Sequence, residues 1–135
     1  MPSQLSQIKW ARVVITTLVV FVAAFLAVTL VVTVYASYLA FQARGAPDQE
    51  MINAFAGKNA PWLSSIFFIL FTFLGARHAA RRVEGAAQIN ALAVGVLSGL
   101  VHAGSNLLDL FDLNALPVSI LAIGAGWLGG RLVRK

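Results

Sequence analysis

Residues 13–40 read VVITTLVVFVAAFLAVTLVVTVYASYLA, a run of 28 residues without one charged side chain. At 1.5 Å per residue this run forms a helix of about 42 Å, which is longer than the ~30 Å hydrocarbon core of a bilayer. A secretory signal has a shorter apolar region of about 7 to 15 residues. The run therefore predicts a retained membrane-spanning helix that tilts or projects beyond the bilayer on one side.

Three further apolar stretches follow this run. The chain is 59% hydrophobic and 11% charged, against about 25% charged residues in an ordinary soluble domain. We therefore predict an all-α integral membrane protein in which residues 1–135 form one domain. Its four predicted transmembrane helices cover residues 13–40, 62–80, 86–103 and 116–132.

Charged residues at the ends of the runs predict an orientation. If the N-terminus is cytoplasmic, eight of the ten Lys and Arg residues lie on the cytoplasmic side, and only Arg44 and Lys58 lie outside. Positive residues are enriched in cytoplasmic flanks, so we expect both termini in the cytoplasm and assign the chain to the bacterial cytoplasmic (inner) membrane. We expect contacts with anionic lipid headgroups from Lys9, Arg12, Arg77, Arg81, Arg82, Arg131 and Arg134.

The charge distribution and the absence of cysteine exclude several classes of function. The basic residues sit at the ends of apolar runs and form no single basic face, so no nucleic acid is expected as a partner. The chain has no cysteine, which excludes disulfides, thiolate metal sites and cysteine catalysis.

Two connections on the outer side carry helix signals of their own. In residues 42–60, Pro47 suits a first helical position and Gly57 a left-handed stop. We expect a short amphipathic helix there, which lies on the outer surface or covers a protein partner. In residues 104–115, Ser105 is a candidate cap for a second one. Its apolar residues are Leu107, Leu108 and Phe111, and its carboxylates, Asp109 and Asp112, are too few to predict a metal site.

Small residues recur at intervals of four in the last two spans. Such stripes allow two helices to approach closely. Packing within one chain is the favoured interpretation, and a seam between copies is the alternative. The predicted packing residues are Ala91, Gly95, Gly99 and Ala103 in the third span, and Ala122, Gly126 and Gly130 in the fourth. We expect the third span to be the most surrounded by protein, and the first to be the most exposed to lipid.

A shift of 54 residues aligns the second span with the fourth. Ser65 and Ile66 match Ser119 and Ile120, and residues 73–77 match residues 127–131. The chain is therefore a candidate duplication of a helical hairpin, although Leu, Gly and Ala are common in all membrane spans.

The inner ends of the second and fourth spans carry the triplets Gly75-Ala76-Arg77 and Gly129-Gly130-Arg131. With the Gly-rich third span between them, this arrangement resembles small uncharacterised families of four-helix bacterial inner-membrane proteins. The resemblance implies a fold type and no activity. Small multidrug transporters and fluoride channels have a similar length, but the first span here lacks the membrane glutamate of the former. We also find no counterpart of the polar phenylalanine-threonine stretches of the latter.

Two histidines and one asparagine are the candidate polar sites. His102 could ligate a tetrapyrrole, although a helix-end histidine is more often hydrogen-bonded at the interface, and no cofactor is predicted. His78 lies at the opposite membrane face and cannot act as its second ligand. Asn90 could tie the third helix to a neighbour. Ser98 and Ser105 flank His102 without a third partner, so we predict neither catalytic residues nor enzyme activity.

Two functions from different classes remain. The first is a small accessory, assembly or stabilising subunit of a membrane complex, which acts by helix packing with other subunits. The alternative is a small homo-oligomeric channel or transporter for a neutral or small solute, whose pore forms between chains. Its candidate lining residues are Thr16, Thr17, Thr29, Thr33, Asn90 and Ser98. Intramembrane charges usually mark ion pathways, and their absence favours the first function.

Overall fold

A computed structural model of the chain describes residues 4–83, 85–107 and 115–133, and these residues are helical with short connections. A 3₁₀ turn at Gln4–Gln7 precedes four α-helices. Three of the helices are long and apolar enough to cross a membrane, which is the architecture expected of a membrane protein. The helices are α1 (Trp10–Ala43), α2 (Gln49–Arg81), α3 (Ala87–Leu107) and α4 (Ala115–Arg131).

The first outer connection differs from the prediction, because residues 49–60 are the beginning of α2 and not a separate surface helix. Asp48 caps α2 by accepting hydrogen bonds from the backbone N–H groups of Glu50 (2.8 Å) and Met51 (3.3 Å). Pro47 therefore lies outside the helix. Gly57 has no positive φ, and the helix continues through it and through Pro61.

Contact with α1 explains why α2 continues. The rings of Tyr35 in α1 and Phe55 in α2 stack with their centroids 4.0 Å apart. Tertiary packing of this kind favours the helix against the low helix propensities of Gly57 and Pro61. The turn between the two helices is made by Arg44, whose left-handed backbone (φ 51°) lets its N–H bond the last carbonyls of α1.

The second outer connection is only partly described. α3 continues to Leu107, and Ser105 donates a hydrogen bond to the carbonyl of His102 in its own helix (2.9 Å). Ser105 is therefore a residue of α3 and not the cap of a second amphipathic helix. The predicted residues Leu108, Asp109, Phe111 and Asp112 lie outside the described residues.

One terminus of every helix lies at the same end of the bundle. The backbone N–H of Lys9 bonds the Asn90 side chain, and Arg12 bonds the carbonyl of Arg82. Gly130 packs against Gln88. The start of α1, the end of α2, the start of α3 and the end of α4 are therefore level, and we call this the basic end.

The core near the basic end is built from small side chains. Val13, Ala76 and Val94 are fully buried in one cluster that joins α1, α2 and α3. A second cluster, further from the basic end, joins Val20 of α1 and Phe68 of α2 to α4. α3 and α4 form the most extensive helix pair.

Surface exposure differs between the helices as the sequence predicts. Among the three candidate spans, α3 has the largest buried share and α1 the smallest. Most exposed side chains of α1 are large and apolar. A surface of this kind suits a lipid environment and agrees with the expectation that α1 is the most lipid-facing span. α3 is not distinguished from α4 in this way, because both are buried to a similar extent.

Candidate functional site

The small-residue stripes of α3 and α4 lie against each other within one chain. A Cβ atom on Gly126 would lie 2.7 Å from the Cα of Gly95, and one on Gly99 would lie 2.8 Å from the carbonyl oxygen of Ser119. Ala91 and Gly130 make a similar contact nearer the basic end. Because a Cβ hardly ever approaches backbone this closely, the two backbones can touch only where the side chain is hydrogen.

The other stripe residues lie on the same faces to different degrees. Ala122 is completely buried, and its carbonyl oxygen would lie 2.8 Å from a Cβ on Gly95. Ala103 is half-buried near the opposite end of α3. By contrast, Gly124 of α4 has open space around its Cβ position, so it takes no part in the contact.

α4 also approaches α2 through a glycine. A Cβ on Gly129 would lie 2.8 Å from the carbonyl oxygen of Phe73, whereas one on Gly75 would meet side chains of Thr16 and Val20 in α1. Gly75 and Gly129 are matched by the 54-residue shift, yet they contact unlike parts of the fold. The glycine contacts therefore lend no support to the duplication, which stays a prediction.

Asn90 is a completely buried residue of α3 that holds the segment before α1. Its Oδ1 accepts a hydrogen bond from the backbone N–H of Lys9 (2.8 Å). Its Nδ2 donates to the carbonyls of Gln7 (3.2 Å) and Ala86 (2.9 Å). The side chain thus ties α3 to the start of α1, an otherwise uncapped helix terminus.

Replacing Asn90 by Ala should lower the free energy of unfolding by roughly 1–2 kcal/mol, since side-chain hydrogen bonds inside membrane proteins contribute about 0.6 kcal/mol each. Hydrogen exchange at the Lys9 amide should also become faster, because that amide loses its acceptor. Ser105→Ala is the control, since within the described residues that hydroxyl bonds its own helix. Equal stability and unchanged exchange in Asn90→Ala would contradict the tie.

A second stripe, with three polar residues among its four members, runs beside the glycine stripe of α3. Asn90, Val94, Ser98 and His102 recur at intervals of four, so they share one helix face. Ser98 is completely buried, and its hydroxyl has no hydrogen-bond partner among the described residues.

Two threonines of the neighbouring helices resemble Ser98 in this respect. Thr17 of α1 and Thr72 of α2 are buried, and their hydroxyls also lack partners in the described part of the chain. Thr17, Thr72 and Ser98 each lie four residues from Val13, Ala76 and Val94, which form one cluster. The three hydroxyls therefore occupy about the same level of the bundle, one turn further from the basic end.

Thr72→Val should raise the free energy of unfolding by about 1 kcal/mol, because the shape is kept and a buried hydroxyl without a partner is removed. The matched control is Thr33→Val, whose hydroxyl is exposed and donates to the carbonyl of Thr29 (2.8 Å). We expect little change there. A loss of stability in Thr72→Val would show that its hydroxyl is satisfied in the native state.

His102 packs between α2 and α4. Its ring stacks on Phe68 with centroids 4.7 Å apart, and its Nδ1 lies 3.4 Å from the hydroxyl of Ser119. A tetrapyrrole would therefore have to approach His102 through Nε2, and its ligation stays a prediction. Within the described residues, no three His, Asp or Glu side chains gather as metal ligands would.

Several of the predicted headgroup residues crowd the basic end. Arg12 Nη1 donates to the carbonyl of Arg82 (2.8 Å), so a cation of α1 lies beside the end of α2. Arg131 lies over the ring of Trp127, 5.1 Å from its centroid. The Nε of Arg77 is buried without a hydrogen-bond partner in the described structure. Lys9, Arg81 and Arg82 are exposed, and Arg134 lies outside the described residues.

At the opposite end, α1 and α2 extend beyond α3 and α4. α1 has 34 residues and α3 has 21, so their lengths are about 51 and 32 Å. Because the helices are level at the basic end, α1 and α2 continue for about 20 Å past α3. We call residues 30–43 and 49–61 the projecting hairpin.

The projecting hairpin has one apolar and one polar side. Four large side chains of α1 recur at helical spacing and are 55–84% exposed: Leu30, Val34, Tyr38 and Phe41. We call them the outer apolar stripe. The α2 part of the hairpin exposes Glu50, Asn53 and Lys58, and Met51 is its exposed large apolar residue.

Sequence reasoning missed three features of this arrangement. Thr72 was not recognised as a buried polar residue, although it lies one turn before Ala76 of the inner-end triplet. Nothing in the sequence around Phe68 indicated its contact with His102. The outer apolar stripe was hidden inside a continuous apolar run, where only the excess length of that run pointed to it.

No family model, no curated protein and no solved structure matches this chain. The resemblance to small four-helix inner-membrane families therefore stays a prediction. Function has to be argued from the geometry of the bundle and of its projecting hairpin.

Proposed function

We propose that this chain is an accessory or assembly subunit of a membrane complex, and that the outer apolar stripe binds another membrane subunit. The observation that carries the proposal is the length of α1 and α2 against that of α3 and α4. At about 51 Å, α1 exceeds the ~30 Å hydrocarbon core by about 20 Å.

The position of the aromatic residues supports placing this excess outside the bilayer. Trp62 of α2 lies 19 residues, or about 28 Å, from Arg81 at the basic end. Tryptophan is enriched at membrane interfaces, so Trp62 is a natural outer boundary. Val34, Tyr38 and Phe41 then lie beyond the hydrocarbon core, where large exposed apolar side chains are typical of interaction surfaces.

Packing within the chain supports the same function. The glycine stripes are used between α3 and α4, and the partnerless hydroxyls of Thr17 and Ser98 are enclosed by the bundle. A pore formed between chains would need polar residues on the outside. Thr29 and Thr33 are exposed, but each donates its hydroxyl to its own helix. A homo-oligomeric channel or transporter is therefore the less supported alternative.

The proposal includes a topology of four spans with both termini in the cytoplasm of a bacterium. α4 has 17 residues and reaches about 26 Å, which suffices for a span with local adjustment of the bilayer. The positive-inside distribution supports the cytoplasmic position of the basic end.

Cysteine labelling in intact cells tests this topology. We expect Lys58→Cys to react with an impermeant maleimide from outside, because residue 58 lies in the projecting hairpin. Arg134→Cys should react only after the cells are opened. Reaction of position 134 from outside would overturn the orientation.

The native mass of the chain tests the function. After extraction from its own cells in mild detergent, we expect a discrete complex that contains other membrane subunits at fixed stoichiometry. A pure homo-oligomer that carries solute flux in liposomes would contradict the proposal and support the alternative.

A further inference from the structure

A groove of about 870 Å³ lies between α1 and α2 and opens toward the surface of the bundle. Three basic side chains, Arg12, His78 and Arg82, line its end at the basic end of the bundle. The rest of the groove is predominantly apolar. Its main apolar wall residues are Ile15, Val19, Val20, Phe71 and Leu74.

Close helix contact forms the floor of this groove. A Cβ on Gly75 would lie 2.8 Å from a side-chain methyl of Val20 and 3.0 Å from one of Thr16, so α1 and α2 touch at this level. At the basic end, the hydrogen bond from Arg12 to the carbonyl of Arg82 joins the same two helices. The groove is therefore a fixed feature of the α1–α2 pair.

The length of the groove along α1 is close to the thickness of the hydrocarbon region of one bilayer leaflet. It extends along α1 from Arg12 to Ala23, a distance of about 16 Å at 1.5 Å per residue. Half of a ~30 Å hydrocarbon core is about 15 Å. The whole groove thus has about the length of a single leaflet, with Arg12, His78 and Arg82 at headgroup level.

We propose that this groove is a binding site for one anionic phospholipid. Its phosphate lies between Arg12, His78 and Arg82, and an acyl chain follows the apolar wall toward Ala23. Charge complementarity supports this occupant, since three basic groups line the mouth and no acidic side chain in the described part of the chain lines the groove. Basic pockets between transmembrane helices are known to bind anionic headgroups in this way.

The geometry of the groove requires both an anionic headgroup and an acyl chain. A free phosphate ion would contact Arg12 and Arg82 and leave the apolar wall empty. A lipid without net charge would fill the wall and leave the positive charge of Arg12 and Arg82 uncompensated. This site is independent of the projecting hairpin, so it can be tested whether or not a partner subunit binds there.

Native mass spectrometry of the purified chain tests the proposal with phosphatidylglycerol as the probe. The chain is first stripped of lipid in dodecyl maltoside and then titrated with phosphatidylglycerol or phosphatidylcholine. We expect one phosphatidylglycerol to bind per chain at concentrations where phosphatidylcholine does not. Inorganic phosphate at millimolar concentration should not displace it, because it lacks the acyl chain.

Three variants separate the contribution of the arginines from that of the apolar wall. Arg12→Gln and Arg82→Gln should each weaken phosphatidylglycerol binding about fivefold, as expected for one cation near an anionic headgroup. Ala23→Phe leaves the charges intact and fills the deep end of the groove, so it should also weaken binding. Arg131→Gln is the control, because Arg131 belongs to the basic end but does not line the groove.

The thermal unfolding of each variant is recorded beside its lipid binding, so a folding defect is recognised as such. Equal binding of both lipids, or an equal loss in Arg131→Gln, would overturn the proposal in favour of general surface attraction. Displacement by inorganic phosphate would overturn it in favour of a simple anion site. If Ala23→Phe binds phosphatidylglycerol as tightly as the wild-type chain does, the assignment of the acyl chain to the groove is overturned.

Discussion

Gly126→Leu should separate α3 from α4 and lower the free energy of unfolding by about 3 kcal/mol. A Cβ at position 126 would lie 2.7 Å from the Cα of Gly95 and 2.9 Å from the carbonyl oxygen of Ala91. Both atoms belong to backbone, so neither can move aside as a flexible side chain can. Gly126→Ala should show a smaller loss in the same direction.

The matched control for this variant is Gly124→Leu, two residues away in the same helix. Apart from its own helix, no atom of the described residues lies within 4 Å of a Cβ at Gly124, so the added side chain meets open space. Unfolding by a denaturing detergent, followed by circular dichroism, measures both variants. Equal stability of the two variants would show that the α3–α4 contact is not as close as the structure indicates.

Val34→Trp should reduce recovery of the native complex at least tenfold. The substitution places a large side chain in the centre of the outer apolar stripe, and buried interface positions tolerate such overpacking poorly. It adds no charge to α1, so membrane insertion should be preserved. The yield of the complex, relative to the amount of the chain in the membrane, is the measurement.

Val22→Trp provides a close control for this experiment. Val22 lies on the same helix and is 57% exposed, against 61% for Val34. It lies 12 residues, or about 18 Å, from Trp10, which places it within the hydrocarbon core. We expect normal recovery of the complex with Val22→Trp. Normal recovery with both variants would mean that the outer apolar stripe faces lipid.

The helices themselves were predictable because the signal is large and local. Residues 13–40 have no charged side chain, and the long apolar run had to become a long helix. The stripes could be predicted for a similar reason. Intervals of four place Gly95 and Gly99 on one face, and the structure puts that face against Ser119 and Gly126 of α4.

The extension of α2 could not be predicted because it depends on contact between distant residues. Gly57 and Pro61 both favour a break when the sequence is considered locally. The stacking of Phe55 on Tyr35 adds a tertiary interaction that no local pattern contains. The prediction of a separate surface helix was therefore wrong, although residues 49–60 are helical.

In the candidate sites, too, residue types could be predicted from the sequence, whereas contacts between distant residues could not. Asn90 was recognised from its type, since a buried amide in an apolar span needs partners. Its bond to Lys9 spans 81 positions in the sequence and became visible only in the fold. The lipid groove likewise combines Arg12 with His78 and Arg82, which no sequence interval connects.

Site-specific photo-crosslinking in intact cells tests the central claim most directly. A photoreactive amino acid at Val34 should yield one protein adduct of defined mass, because the outer apolar stripe is proposed to contact another subunit. The same probe at Val22 should react with lipid alone. Lipid adducts at both positions, or an adduct at Val34 with a second copy of this chain only, would contradict the assignment of the chain as an accessory subunit.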